Sequence, residues 1–362
     1  MDEKKSIQLK SLSVYFYHTR LTSESYEAWK RKEFPGHLLY GVTHFEANGI
    51  RTIMHRYRYF PKRFQLMLYS TKEILFCKQK FDILYASSFR GIEPLIFLRA
   101  LGLFRKPIII WHHTAITKSR NKWKEFISRI FYKGIDHMFL FSQKLIDDSL
   151  RTHKVNKEQI SLIHWGADLS FYDYLMKKYS VRSHSGFIST GKENRDLDTL
   201  LNTFTQCNQQ LTIYIAHSCG KINYDSIIAR HKIENNIKIH FTTGVIPEEL
   251  AKKVMQSQCV VITCLDFPYT VGLTTLVEAF ALGLPVICSR NPNFNMDIEA
   301  EKAGITVDYG DIQGWINAVT YIVNHPAEAQ TMGNNGRHIA ENIYNLDHFA
   351  QEIIDILQKY AK

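Results

Sequence analysis

The chain has 362 residues, with 45 Lys and Arg against 35 Asp and Glu, for a formal net charge of +10. That length exceeds what one hydrophobic core supports, so two domains are expected. No run of about 18 apolar residues occurs, which argues against a spanning helix, and the six cysteines show no C-x-x-C pairing, so reduced thiols and no metal site are expected. The opening MDEKKSIQLK lacks the apolar centre of a signal peptide, which points to the cytoplasm.

The charge is uneven. Residues 1–180 hold 31 Lys and Arg against 16 Asp and Glu (+15), and residues 181–362 hold 14 against 19 (−5). A basic first half suits an anionic face, and a membrane surface with acidic lipids is the expected partner. Nucleic acid is not expected, because no recognition motif or zinc spacing accompanies the charge.

In chain order, Leu12–Tyr17 reads as a strand and SESYEAWKRKE as a polar stretch. Pro35-Gly36-His37 reads as a turn feeding a helix that Asn48-Gly49 ends before a second strand. That is a βαβ unit whose helix N-terminus can receive a phosphate. FDILYASS, EPLIFLRALGL and PIIIWHHT repeat strand, helix, strand, and place His112 and His113 at a strand's carboxyl end, where open parallel sheets bind ligands. Lys118, Arg120, Lys122 and Lys124 follow, interleaved with Trp123 and Phe126, a composition that suits a membrane surface or a solvated helix face.

IDHMFLFS, Gln143–Lys154 and ISLIHWGADLSFY supply another unit, and the polar stretch around 175–185 reads as an interdomain linker. The alternation then restarts. Phe187–Gly191 is a strand reaching a glycine turn beside Lys192 and Arg195, and LDTLLNTF, LTIYIA, NIKIHF and Pro247–Gln256 follow. The Glu248-Glu249 pair reads as a helix first turn. Residues 313–323 and 327–359 close the chain as helices. The expected fold is therefore α/β, with two doubly wound Rossmann-like domains at 1–178 and 183–344 facing across a cleft, and a final helix at 345–362 packing back on the first.

The sharpest signal lies in VVITCLDFPYTVGLTTLVEAFALGLPVICSRNP, residues 260–292. A β-branched strand is followed by the loop breakers Asp266, Pro268 and Gly272. A helix then carries Leu276, Phe280 and Leu284 on one face, Gly283 and Pro285 end it, and another strand begins. Glu278 is the one charge in that apolar helix. A buried carboxylate costs several kcal/mol unless it is hydrogen-bonded, so Glu278 needs hydroxyl or amide partners.

Taken in order, PIIIWHH, LIHWGADLSFY, ISTGKENRD with LDTLLNTF, and VGLTTLVEAFALGLPVICSRNP resemble the retaining GT-B glycosyltransferases of group 1, family 4-like, which use nucleotide-sugar donors. The similarity spans most of the chain, is strongest over 160–345 and is loosest over the first 60 residues. The resemblance implies that Glu278 hydrogen-bonds the ribose hydroxyls. It further implies that Lys192 and Arg195, after the strand-end Gly191, neutralise the donor diphosphate, and that the amides of Gly272, Leu273 and Thr274 hold the same phosphates. Gly244, Val245 and Ile246 lie where the base is placed, His113 contacts the transferred sugar, and Gly36 and His37 lie near acceptor and diphosphate. One departure stands out: the motif's first glutamate is replaced by Thr270, which supplies no charge, and Asp266 substitutes only if the loop refolds.

The implied activity is transfer of a hexose, with retention, from a UDP-sugar ahead of a GDP-sugar to a lipid-linked or polysaccharide acceptor at the inner membrane face, in cell-surface glycan biosynthesis. No cofactor and no metal are implied, since cations and helix N-termini aimed at the leaving diphosphate carry the electrostatic work. A sugar-nucleotide epimerase or hydrolase of the same fold, and a non-catalytic nucleotide-sugar-binding subunit, are the alternatives.

Overall fold

A computed structural model describes residues 12–180, 184–242 and 247–361. Short runs of β-branched and aromatic residues form the first sheet: β1 (Ser13–Tyr17), β2 (Arg51–Met54), β3 (Ile83–Ala86), β4 (Ile108–Trp111), β5 (His137–Leu140) and β6 (Ile160–Leu162). All its pairings are parallel, in the order β2-β1-β3-β4-β5-β6. The middle strands are buried on both faces, which is why they read as continuous apolar runs.

Helices cover this sheet: α1 (Thr22–Lys30), α2 (Arg63–Leu75), α3 (Glu93–Ala100), α4 (Lys122–Lys133), α5 (Gln143–Leu150) and α6 (Leu169–Lys178). The polar stretch SESYEAWKRKE is thus helical, as α1, with only Thr22 buried. The single helix expected after Gly36 is instead three 3-10 turns, Gly36–Leu39, Val42–His44 and Glu46–Asn48. Tyr40 at φ 55° and Gly41 at φ 80° are left-handed and interrupt the helical path.

The second sheet contains β7 (Phe187–Ser189), β8 (Leu211–Ile215), β11 (Ile237–Phe241), β12 (Cys259–Ile262), β13 (Val286–Ser289) and β14 (Gly304–Val307), with β9 (Ser218–Cys219) and β10 (Ile222–Asn223) forming a small hairpin apart from it. The order is β11-β8-β7-β12-β13-β14, again wholly parallel. Around it lie α7 (Leu197–Cys207), α8 (Tyr224–Ile228), α9 (Pro247–Met255), α10 (Leu273–Ala281), α11 (Ile312–Asn324) and α12 (Pro326–Asn342).

The expected α/β, GT-B-type pair of doubly wound domains is therefore what the chain forms. The last helix, α13 (Leu346–Lys359), lies on the first domain: Phe349, Ala350, Ile353 and Leu357 are fully buried, and Phe349 stacks on Trp165 at 5.1 Å. The chain returns to that domain beside the start of α6, where the Ala167 amide donates to the Tyr344 carbonyl at 3.1 Å and the Leu346 amide to the Ala167 carbonyl at 2.8 Å. All six cysteines are free.

Candidate active site

Strand order in a parallel sheet locates the ligand crevice, because neighbouring connections diverge where the order reverses. In the first sheet that point lies between β1 and β3, and in the second between β7 and β12. The carboxyl ends of these strands carry His18 and Ser87 on one side, and Thr190, Gly191 and Thr263 on the other. An antiparallel bridge between Thr114 and Tyr269 joins the two edges across the cleft.

On the second-domain side, Gly191 has φ 99°, and a Cβ there would lie 2.1 Å from the Arg195 guanidinium. Arg195 is buried. Its Nε donates to the Thr190 carbonyl at 3.0 Å, Nη1 to the Glu193 carbonyl at 3.2 Å, and Nη2 to Thr275 Oγ1 at 2.9 Å. Its guanidinium thus ties the β7 turn to α10. Tyr224 braces the same turn, accepting from the Arg195 amide at 2.9 Å and donating to the Lys192 carbonyl at 3.1 Å. Lys192 is exposed at the tip.

Gly272 precedes α10. The Leu273 amide is used locally, donating to the Thr270 carbonyl at 3.2 Å, while Thr274 stands second in the first turn, where helix amides lack intrahelical acceptors. Glu278 is not enclosed as the apolar helix suggests: its side chain is 27% exposed, and Oε1 lies 3.2 Å from His37 Nε2 in the other domain. His37 Nδ1 accepts from the Asp168 amide at 3.2 Å, so Nε2 carries the proton and donates to the carboxylate. Burial, and next the Glu278 charge, push the neighbouring Tyr172 phenol well up.

The Gly36 amide donates to Asp168 Oδ2 at 2.8 Å, and the same carboxylate accepts from Trp29 Nε1 at 3.2 Å and caps α6 through the Phe171 amide at 3.0 Å. Gly36 therefore spends its amide inside the first domain, and the phosphate-receiving helix N-terminus expected there does not form. Thr270 is buried and Asp266 exposed. Glu248, in the first turn of α9, accepts from Lys178 and from the Tyr179 hydroxyl, both at 2.6 Å. Gly244, Val245 and Ile246 lie outside the described residues.

On the first-domain side, His113 Nε2 donates to the Ser87 carbonyl at 3.0 Å, which leaves Nδ1 as the acceptor face. Burial lowers its pKa, so the ring is neutral near pH 7. Sequence reasoning passed over its neighbours His18 and Arg20, although their place beyond the carboxyl end of β1 was a signal of the kind that singled out His113. His18 is buried with Nδ1 unpartnered, and burial lowers its pKa to about 3. Thr263 Oγ1, at the end of β12, is likewise buried without a partner among the described residues. Orphaned polar atoms at both switch points are what a polar ligand would satisfy. A cavity of about 630 Å³, lined by Met176, Met255, Leu282 and Ile322, opens instead at the amino ends of the second sheet's strands, away from these groups.

This architecture, two parallel six-stranded sheets meeting at their carboxyl edges, defines the GT-B class. Residues 177–339 match the family described as glycosyl transferases group 1. Among solved structures, HepE from Anabaena, crystallised with UDP and glucose, is 14% identical, with 96% of this chain and 100% of that one covered at a TM-score of 0.66. The α,α-trehalose 6-phosphate synthase of Burkholderia multivorans is 11% identical, with 98% and 99% covered at 0.72. Sucrose-phosphate synthase from Thermosynechococcus elongatus is 14% identical, with 97% and 99% covered at 0.68. No curated protein sequence matches.

Proposed function

We propose that this chain is a retaining, metal-independent glycosyltransferase that moves a hexose from a UDP-sugar to a lipid-linked or polysaccharide acceptor at the cytoplasmic face of a membrane. The observation that carries the reading is the Arg195 bond to Thr275 Oγ1, which holds the β7 turn bearing Lys192 against α10, the helix of Glu278. The group 1 match over the second domain and the UDP and glucose in the HepE structure support it. In this reading Glu278 holds the ribose, Lys192 and the Thr274 amide stabilise the departing diphosphate, and Arg195 keeps the two loops in register. His113 meets the transferred sugar, and its neutral ring offers Nδ1 to a hydroxyl. Cleavage of the glycosyl–phosphate bond develops charge on the diphosphate, where a cation and a helix start act most strongly.

Charge and exposure support the membrane face. Trp123, Phe126 and Ile127 of α4 are 75%, 56% and 49% exposed beside Lys122 and Lys124, and Phe64 and Leu68 of α2 are also exposed. Among the described residues no helix is long and apolar enough to cross a membrane. Exposed rings beside cations are the groups that surface attachment uses.

The test is UDP release from UDP-hexoses with and without lipid extract. Acceptor-stimulated release is expected. Acceptor-independent turnover would make the protein a hydrolase or epimerase, and binding without release would make it a nucleotide-sugar-binding subunit, the reading that Thr270 favours.

A further inference from the structure

At the junction where the chain returns to the first domain, three side chains with metal-binding chemistry converge. His348 and Glu352 stand one turn apart on α13, and His164 follows β6. Their ligand atoms all lie within 4.8 Å of one another. Glu352 Oε1 lies 2.6 Å from His164 Nδ1 and 3.5 Å from His348 Nε2, and Oε2 accepts from the His164 amide at 3.0 Å.

We propose that His164, His348 and Glu352 form a divalent-cation site, with zinc the best fit, whose three protein ligands tie α13 to the first domain. Two imidazoles and a carboxylate are a borderline-soft set that suits zinc ahead of magnesium or calcium. Zinc bonds of about 2.0–2.2 Å place tetrahedral ligands roughly 3.3–3.6 Å apart. The His348–Glu352 spacing already has that value, and the His164–Glu352 hydrogen bond opens by less than about 1 Å to admit the ion. The amide contact to Oε2 is the kind of outer support that orients a ligating carboxylate. Ion pairing accounts for each imidazole taken singly, at 2.6 Å for His164 and at 3.5 Å across one turn of α13 for His348; a bound cation accounts for both nitrogens converging on the same carboxylate. The three ligands leave a fourth position for water at a partly exposed edge. The expectation of no metal site came from cysteine spacing, which is blind to a set assembled from positions 164 and 348–352.

The test is calorimetric titration of the chelator-treated full chain with zinc, with magnesium as control. One equivalent of zinc, a raised melting temperature and no response to magnesium are expected. His348→Ala leaves the His164–Glu352 pair and the docked helix in place, and is expected to weaken zinc binding at least tenfold. Cobalt substituted for zinc should give visible bands of nitrogen and oxygen ligation without thiolate charge transfer. Absence of zinc binding by the wild type, unchanged affinity in the His164→Ala/His348→Ala double variant, or thiolate bands from the free cysteines would each overturn the site.

Discussion

His37 Nε2 donates to Glu278 Oε1 at 3.2 Å, joining residues 241 positions apart and in different domains. The ring is fully buried, and the Asp168 amide on its other nitrogen fixes the tautomer. Glu278 therefore reaches the cleft already oriented. Glu278→Ala is expected to weaken UDP binding about tenfold or more, on the scale of one charge-assisted hydrogen bond of about 1.5–3 kcal/mol. Calorimetry with UDP checks this, and unchanged affinity would remove the ribose role.

Lys192 and Arg195 are adjacent cations with different work. Lys192→Ala is expected to cut turnover at least ~10-fold at unchanged stability. Arg195→Ala is also expected to cut turnover at least ~10-fold, but with a loss of about 2–4 kcal/mol of stability, because it leaves two carbonyls and Thr275 without their donor. Urea unfolding beside steady-state rates separates the two, and equal stabilities would contradict the bracing role.

His113→Ala is expected to slow transfer while leaving UDP affinity intact, since its ring lies on the opposite wall against Phe141 and Ser87. Parallel loss of both would mark it as a packing residue.

Much of this was legible beforehand. The strands announced themselves as β-branched runs, and Gly272, Glu278 and Pro285 located the loop, helix and strand of the pivotal unit. Helix α1 was hidden because it buries almost nothing and carries little apolar periodicity. The Gly36–Asn48 turns were hidden because a left-handed Tyr40 leaves no sequence mark. The Asp168–His37–Glu278 chain was unreadable for another reason: its two links span 131 and 241 positions, the second crosses between domains, and no local pattern encodes such pairings.

Acid sensitivity follows from four buried imidazoles. Burial lowers the pKa of His18 to about 3 and those of His55, His112 and His137 to about 4. Unfolded histidines titrate near 6.5, so between about pH 6.5 and 4 the unfolded chain binds protons that the folded one refuses. Their contribution is complete above about pH 6.5 and is lost as pH falls, by up to about 1.4 kcal/mol per pH unit for each ring. Urea midpoints measured at pH 7.5 and 5 should drop accordingly, and a flat profile would refute the neutral-core assignment.

Vesicle binding should follow α4. Trp123→Ser with Phe126→Ser is expected to release the protein from anionic vesicles at a salt concentration where the wild type stays bound, and raising ionic strength should weaken both. Co-sedimentation reads this out, and salt-insensitive pelleting would contradict the electrostatic part.

The placement of α13 bears on the order of events during synthesis. Phe349, Ile353 and Leu357 complete a core whose last strand, β6, ends at Leu162, well over a hundred residues before α13 begins at Leu346. Domains usually mature in the order they are translated. Here the later lobe can close first, while the earlier one waits with an apolar surface uncovered, so chaperone dependence should concentrate on the amino-terminal half.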